Sequence, residues 1–112
     1  MILGPTMKPN HVTKIRDGIE LIGLSGESTF NYISMHDIQK FIEVYSNQYK
    51  DRMYDFVANR AVKLTQVKRM FNSSTQFGDA HHKSNYRFEN PIYKHIEEFD
   101  KSSVKVLENL FK

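Results

Sequence analysis

The side chains that could carry chemistry lie mainly in the middle of the chain, where basic and amide groups recur at helical spacing. At about 100° per residue, one side of a helix there gathers four such groups and no carboxylate. They are Arg52, Asn59, Lys63 and Gln66. These side-chain types reach guanine, adenine and phosphate oxygens in nucleic acids. The pattern indicates a nucleic-acid-binding face, although an ordinary solvated helix face can also be basic.

The positive charge of the chain is concentrated in the same region. All 112 residues together carry a net charge of +3, whereas residues 50–72 alone carry +4. Lys68 and Arg69 are adjacent in this segment and are suited to neutralising phosphates. Four aromatic residues interleave with it and can stack on exposed bases: Tyr45, Tyr49, Tyr54 and Phe56. In the alternative interpretation Tyr45, Tyr49 and Phe56 belong to the core and Tyr54 lies outside it. We therefore expect an anionic partner to bind this segment.

Histidines and carboxylates occur together in two places, but in neither with the spacing of an established site. Asp79, His81 and His82 share a polar stretch, and His95 and Glu98 lie about one helical turn apart. Zinc can use such groups, but adjacent histidines usually cannot both reach one ion. No phosphate-binding loop or nucleophile motif is present. We expect a non-catalytic protein without metal or cofactor, and a histidine- or metal-dependent nuclease stays an open alternative.

Length and composition favour one domain. At 112 residues, 39% of them apolar, the chain can build one core. It has no cysteine, which excludes disulfides and thiolate metal sites and suits a reducing cytoplasm. No apolar run approaches the roughly 20 residues of a membrane-spanning helix. Residues 1–11 hold two prolines and no pattern, which predicts a flexible leader before a domain over residues 12–112.

Three short strands are predicted at the start of this domain. Asp17-Gly18 is a hairpin-turn signal, because both positions of such a turn need positive φ. It separates a strand over residues 12–16 from one over residues 19–24. Ser25-Gly26-Glu27 then leads to a third strand over residues 29–33. The pattern predicts an antiparallel meander.

Two helices, or one long bent helix, are predicted next. Ser34 is a suitable N-cap for a helix over residues 35–45, with the Asp37 carboxylate near its positive end. Ser46-Asn47 can interrupt the helix. Apolar residues at helical spacing then resume over residues 49–71.

The remaining residues predict a loop, a short strand and a last helix. Residues 72–85 are polar and predict the loop, and residues 86–88 predict the strand. Asn90-Pro91 starts the last helix, which can break at Ser102-Ser103. The predicted fold is α+β, a small N-terminal antiparallel β-meander packed with two or three α-helices.

Several of these segments follow a familiar order. Residues 14–22 form the first strands, residues 32–38 pass from a strand into a helix, and Phe56-Val57-Ala58-Asn59-Arg60 follows downstream. Residues 85–88 and then 90–97 make a later strand-to-helix step. In this order the segments resemble those of KilA-N domains, which occur in regulatory proteins of phages and large viruses and are thought to bind DNA. Phe56 stands where that family usually has tryptophan.

The resemblance implies a DNA-binding regulatory module in the host cytoplasm, with DNA favoured over RNA. The expected contacts are Arg52, Asn59, Lys63, Gln66, Lys68 and Arg69. An alternative is a protein-interaction module, such as a phage-type inhibitor of a host factor or a homodimerising domain. It is favoured by the long apolar series, which exceeds what one small sheet needs to cover.

Overall fold

Short helices and strands alternate along the chain in the computed structural model, which describes residues 1–84 and 88–111. The strands are β1 (Ile2–Leu3), β2 (Leu21–Leu24), β3 (Thr29–Phe30), β4 (Ile33–Ser34), β5 (Val62–Lys63) and β6 (Gln76–Ala80). The α-helices are α1 (His11–Arg16), α2 (Met35–Lys40), α3 (Leu64–Phe71) and α4 (Ser103–Phe111). A π-helical turn, Phe41–Tyr45, extends α2, and two 3₁₀ turns, Ile92–Lys94 and Glu97–Phe99, precede α4. The chain thus contains both helices and strands, as the α+β class requires.

The strands pair across long stretches of sequence, so the predicted antiparallel meander is wrong. In the described part of the chain, β1 pairs with β4 and β2 pairs with β6, both in parallel, while β3 pairs antiparallel with β5. No two strands that follow each other directly in sequence are paired there. The physical reason is that the first predicted strand is a helix, which leaves β2 without an antiparallel neighbour.

Helix α1 occupies the residues predicted as the first strand because Asn10 caps it. The Asn10 side chain accepts hydrogen bonds from the backbone amides of Val12 and Thr13, at 2.9 and 3.1 Å. The Thr13 hydroxyl accepts in return from the Asn10 amide at 2.8 Å. This reciprocal capping satisfies donors that a helix start leaves unpaired. Val12 and Ile15 then lie on one helical face and are fully buried.

The Asp17-Gly18 turn ends this helix and does not close a hairpin. Gly18 has φ +71°, and its amide donates to the Ile15 carbonyl while the next amide, of Ile19, donates to Lys14. This is the pattern of a Schellman motif, in which a left-handed residue follows the helix. Asn72 ends α3 in the same way, with φ +50°. Each helix then leads into a strand, and the two strands, β2 and β6, pair in parallel.

The helix predicted over residues 35–45 is confirmed as α2 and the π-helical turn that continues it. Ser34 Oγ accepts a hydrogen bond from the Asp37 amide at 3.4 Å, as expected of the N-cap. The buried Asp37 carboxylate also accepts from Lys101 Nζ at 3.0 Å. This ion pair connects the start of α2 to the segment before α4.

The helix predicted over residues 49–71 is wrong for most of its length. Residues 46–61 form turns and irregular segments, and only α3 is helical. The apolar residues at helical spacing serve two different cores. Tyr49, Tyr54 and Phe56 pack in one of them, whereas Leu64 and Val67 pack in the other. One helix presents its apolar stripe to a single core, so the chain has to leave the helix to reach both.

The C-terminal predictions hold in part. The segment predicted as a loop, residues 72–85, contains β6, which forms because its residues pair with β2. In the predicted strand over residues 86–88, residues 86 and 87 lie outside the described residues. The predicted helix after Asn90-Pro91 is two 3₁₀ turns instead of an α-helix. The predicted break at Ser102-Ser103 matches the start of α4.

Two apolar cores lie within the described structure. The first core gathers residues from β1, α1, β2, α3 and α4, with Leu3, Tyr32 and Leu107 fully buried. The second core surrounds Ile92, Ile96 and Phe99 with partly buried aromatic side chains. The radius of gyration is 15.0 Å, somewhat above the ~13 Å expected for a single compact core of this length. No described helix has the length and apolar character needed to cross a membrane.

Residues 1–11, predicted to be a flexible leader, are packed into the fold. Strand β1 pairs with β4, and the Met1 ammonium donates to the Asn31 carbonyl at 2.8 Å. Leu3 is fully buried, and Asn10 caps α1. The absence of a sequence pattern reflects the shortness of β1, because two residues cannot display a period.

We expect Leu3→Ala to lower the free energy of unfolding by about 2 to 4 kcal/mol, because it leaves a cavity in the first core. Denaturant unfolding of both proteins measures the difference. Ile2→Ala is the matched control in the same strand. Its side chain is 49% exposed, and the change should cost about 1 kcal/mol or less. Equally small effects of the two substitutions would contradict the packing of this segment.

Candidate functional site

The residues predicted to contact nucleic acid do not share a helical face. Arg52 and Asn59 lie in the irregular segment, Lys63 ends β5, and three more lie on α3. Those three are Gln66, Lys68 and Arg69. The face predicted from spacing required a continuous helix through residues 52–66, and that helix is absent.

Three of these side chains are engaged within the protein. Asn59 Nδ2 donates to Asp100 Oδ1 at 2.6 Å. Lys63 Nζ lies 3.0 Å from Glu27 Oε2. Gln66 Oε1 accepts a hydrogen bond from the Lys63 amide at 3.1 Å, which caps α3. These contacts are exposed to solvent, so they compete only weakly with a polyanionic ligand.

The other three are more available. Lys68 Nζ lies 5.6 Å from the centroid of the Phe77 ring, a cation–π distance. Arg52 and Arg69 are exposed and form no ion pair within the described residues. The positive charge is thus present on the surface, but it is spread over several elements.

A cleft of about 420 Å³ lies where the two cores meet, and it is the better-formed candidate site. Its walls are largely apolar, and three phenylalanines contribute to them. The lining side chains include Phe30, Ile33, Phe56, Val57, His82, Ser84 and Phe88. Clefts of this volume with apolar walls and few polar groups are the usual form of small-ligand sites.

One wall is built from stacked rings. Phe30 lies between two imidazoles, His11 and His82, with ring centroids 4.2 Å away on each side. The His82 ring is nearly parallel to Phe30, at 4°. His11 Nε2 is 2.6 Å from the hydroxyl of the fully buried Tyr32. The stack holds His82 in a defined position at the cleft.

The hydrogen bonds of His82 determine which chemistry it offers to a ligand. Its Nδ1 lies 3.0 Å from the Thr29 carbonyl oxygen, which can only accept, so Nδ1 carries the proton. In the neutral ring Nε2 is then an acceptor, and it has no partner among the described residues. The Ser84 hydroxyl also lines the cleft. The two side chains provide one acceptor and one hydroxyl for a polar ligand edge.

The opposite wall belongs to the second core. Phe56 lines the cleft and also packs against Phe41 and Phe99, with ring centroids 5.9 and 5.2 Å away. Nearby, Tyr45 donates a short hydrogen bond to Glu98, whose carboxylate is also 2.8 Å from Lys40 Nζ. The hydrogen bond from Lys40, and then that from Tyr45, lowers the pKa of Glu98. The carboxylate therefore stays ionised and is committed to this network.

Side-chain hydrogen bonds join the two walls. Asn31 donates to the Ala58 carbonyl and accepts from the Ala58 amide, both at 2.9 Å, as a neighbouring strand would. The Ser103 hydroxyl donates to the Arg60 carbonyl at 2.6 Å and accepts from the Tyr32 amide at 3.0 Å. The cleft is therefore bounded on both sides by backbone that has fixed partners.

The arrangement is suited to holding a flat, partly polar ring. Aromatic and aliphatic walls contact the ring faces, while His82 and Ser84 reach its polar edge. Lys83 lies between these two residues in sequence and is exposed to solvent. Among residues 1–84 and 88–111, no three histidine or carboxylate side chains lie close enough to hold a metal ion. His95 bonds instead to Asn90 Oδ1, at 2.7 Å.

Sequence reasoning did not find the cleft. The sequence predicts Phe56 as a core or base-stacking residue and His82 as a metal ligand or nuclease residue, but nothing in it brings the two together. The lining residues come from distant parts of the chain, so no spacing connects them. Residues 29–30, at one wall, pair with residues 62–63, and strand pairing over such a distance has no local signature in the sequence.

Comparison with known proteins adds no relative: no family model, curated protein or solved structure matches this chain. The resemblance to KilA-N domains stays a prediction.

His11 should make the protein acid-sensitive. Burial, and then the charges of His82 and the N-terminal ammonium, lowers the pKa of His11 from 6.5 to about 4. Below pH 6.5 the His11 imidazole is therefore protonated in the unfolded chain, whereas in the folded chain it stays neutral until about pH 4. Stability is complete above that window and falls as the pH drops through it. Because His11 is partly exposed, we expect a loss of roughly 1 kcal/mol between pH 7.5 and 5.

Urea unfolding at the two pH values measures this loss. His11→Gln should remove that part of the pH dependence, because glutamine does not titrate. His81→Gln is the matched control, since His81 is exposed, and it should keep the wild-type dependence. An identical pH dependence in wild type and His11→Gln would contradict the assignment.

Proposed function

We propose that this protein is a non-catalytic nucleic-acid-binding module that holds an unpaired base in the cleft between its two cores. The observation that carries the proposal is the cleft itself, with walls of phenylalanine and a polar end formed by His82 and Ser84. Every nucleobase has two flat faces and a hydrogen-bonding edge. Stacking on aromatic side chains contributes about 1 to 3 kcal/mol per base.

The charge distribution supports the same partner. A single strand carries a phosphate at each nucleotide, and the protein offers several cations on its surface. Lys83 is exposed and adjacent in sequence to His82 and Ser84, while Arg52, Lys68 and Arg69 belong to the +4 segment over residues 50–72. In this proposal these cations neutralise the phosphates of the nucleic acid. Asn59, Lys63 and Gln66 also bind it once it replaces their contacts within the protein.

A regulatory role in a host cytoplasm, with DNA as the polymer, belongs to the same proposal. It rests on the resemblance of residues 14–22, 32–38 and 56–60 to KilA-N segments. The cleft changes the expected mode of binding, because an aromatic cleft receives bases that are unpaired, whereas a basic helix reads the groove of a duplex.

Titration of the protein with labelled single-stranded DNA, single-stranded RNA and duplex DNA at two salt concentrations tests the proposal. We expect single strands to bind more tightly than duplex. Ser84→Trp, which fills the cleft, and Lys83→Glu, which reverses the charge between His82 and Ser84 in the sequence, should each weaken binding about 10-fold. Arg69→Ala should reduce the log–log salt slope by about 0.7 on single strands.

Lys105→Glu is the matched control for Lys83→Glu, because Lys105 is an exposed lysine of α4 that does not line the cleft. It changes the net charge equally and should weaken binding far less. Binding that prefers duplex and ignores Ser84→Trp would contradict the cleft as the site. A lack of binding to every polymer at low salt would contradict the proposed function as a whole.

A second candidate function is self-association, and one observation favours it. Large apolar side chains are exposed in the region after α2, with Ile42 at 60%, Val44 at 58% and Met53 at 92%. Surface that a monomer leaves so exposed often lies in an interface.

If the protein is a homodimer through this region, sedimentation should give twice the monomer mass at micromolar concentration. Val44→Glu with Met53→Glu should return it to a monomer, because charged residues are disfavoured in an interface core. Lys105→Glu should leave the mass unchanged. A monomer at all concentrations would remove this candidate.

A further inference from the structure

A second groove, of about 400 Å³, runs between helix α1 and strand β2. Lys14 and His11 line it from the helix, and Ile19, Leu21 and Gly23 line it from the strand side. It shares none of these residues with the cleft between the cores. The groove therefore needs an explanation of its own.

Strand β2 has one unused edge along this groove. Within the described residues β2 pairs with β6 alone. The Gln76 amide donates to the Glu20 carbonyl, so this carbonyl faces β6. Backbone polar groups alternate in direction along a strand, so the amide and carbonyl of Leu21 face away from β6. At the register shift of this pairing the Gly23 carbonyl oxygen lies only 2.6 Å from the position that a Cβ would take at Gly78 of β6. The backbone that another strand can reach is therefore that of Leu21, which is 60% exposed.

Strand β2 is short and has a register shift between Ile22 and Leu24, but apolar side chains flank its edge. Natural sheets block their edges with charged side chains, prolines or covering loops. Here the side chains beside the edge are apolar, and Leu21 is 60% and Ile19 48% exposed. An accessible edge with exposed apolar side chains is the arrangement that accepts an extended peptide as an added strand.

The charge of the groove selects among possible peptides. Lys14 is exposed and forms no ion pair within the described residues, and no carboxylate lines the groove. The neighbouring Arg16 is already bonded to Asp17, at 2.9 Å. His11 stays neutral at pH 7, because its pKa is lowered to about 4. The free charge in the groove is therefore the Lys14 ammonium, which is complementary to a carboxylate.

We propose that this groove binds an extended segment of a partner protein, which adds to β2 as a further strand. The segment has alternating apolar side chains that contact Ile19 and Leu21, and a carboxylate that faces Lys14. This proposal does not depend on nucleic-acid binding, because Ile19, Leu21 and Lys14 do not line the cleft between the cores.

Selection from a displayed library of random decapeptides tests the proposal, with the full chain as bait. Wild type should enrich peptides that alternate apolar and polar residues and carry aspartate or glutamate. Enriched peptides are then synthesised and titrated. Leu21→Asp and Lys14→Glu should each weaken them at least 10-fold, and Lys105→Glu should not. Both altered residues are exposed, so the variants should keep the wild-type unfolding transition.

The charge-reversed protein provides the sharpest outcome. Lys14→Glu used as bait should enrich peptides with lysine or arginine at the position where wild type selects a carboxylate. Methylating the backbone nitrogens of a bound peptide on its strand-facing side should abolish binding. Three results would overturn the proposal: no enrichment, enriched peptides indifferent to Leu21→Asp, or a dimer that Leu21→Asp dissociates, which would assign the edge to a second copy.

Discussion

Residues 46–61 connect the two cores without regular secondary structure. The rest of the molecule depends on the hydrogen bonds that fix the backbone of this segment. A buried amide or carbonyl without a partner costs about as much as a lost hydrogen bond. Side chains from distant elements supply the partners here. Asn31 bonds both polar groups of Ala58, Ser103 bonds the Arg60 carbonyl, and the Asn90 side chain donates to the Met53 carbonyl.

The same constraint explains why the cleft lies at the junction of the cores. Asn31 and Phe30 are adjacent, so the residue that holds the crossing segment also positions the ring stack beside it. Phe56 belongs to the second core and reaches the cleft from the other side. Each wall is therefore supported by its own core.

Short-range sequence signals predicted correctly those features that depend on residues close to one another in the sequence. Ser34 and Asp37 predicted the start of α2 correctly, because capping acts over three residues. Asn10 and Thr13 carry an equivalent signal that was missed beside the β-branched Val12 and Ile15. The pairing of β2 with β6 joins positions 21 and 76, and no local pattern specifies such a partner. The cleft is built on pairings of this kind, so its residues were not predictable from spacing.

The composition of the first core has a consequence for how the protein is made. This core combines Leu3 from the first strand, Val67 from α3 and Leu107 from the last helix. Closing contacts over such separations costs chain entropy before burial offsets it, which slows folding. An N-terminal fragment that ends before α4 therefore lacks part of the first core, although it contains the residues of the second core. The apolar residues of the first core stay incompletely packed until α4 has emerged from the ribosome.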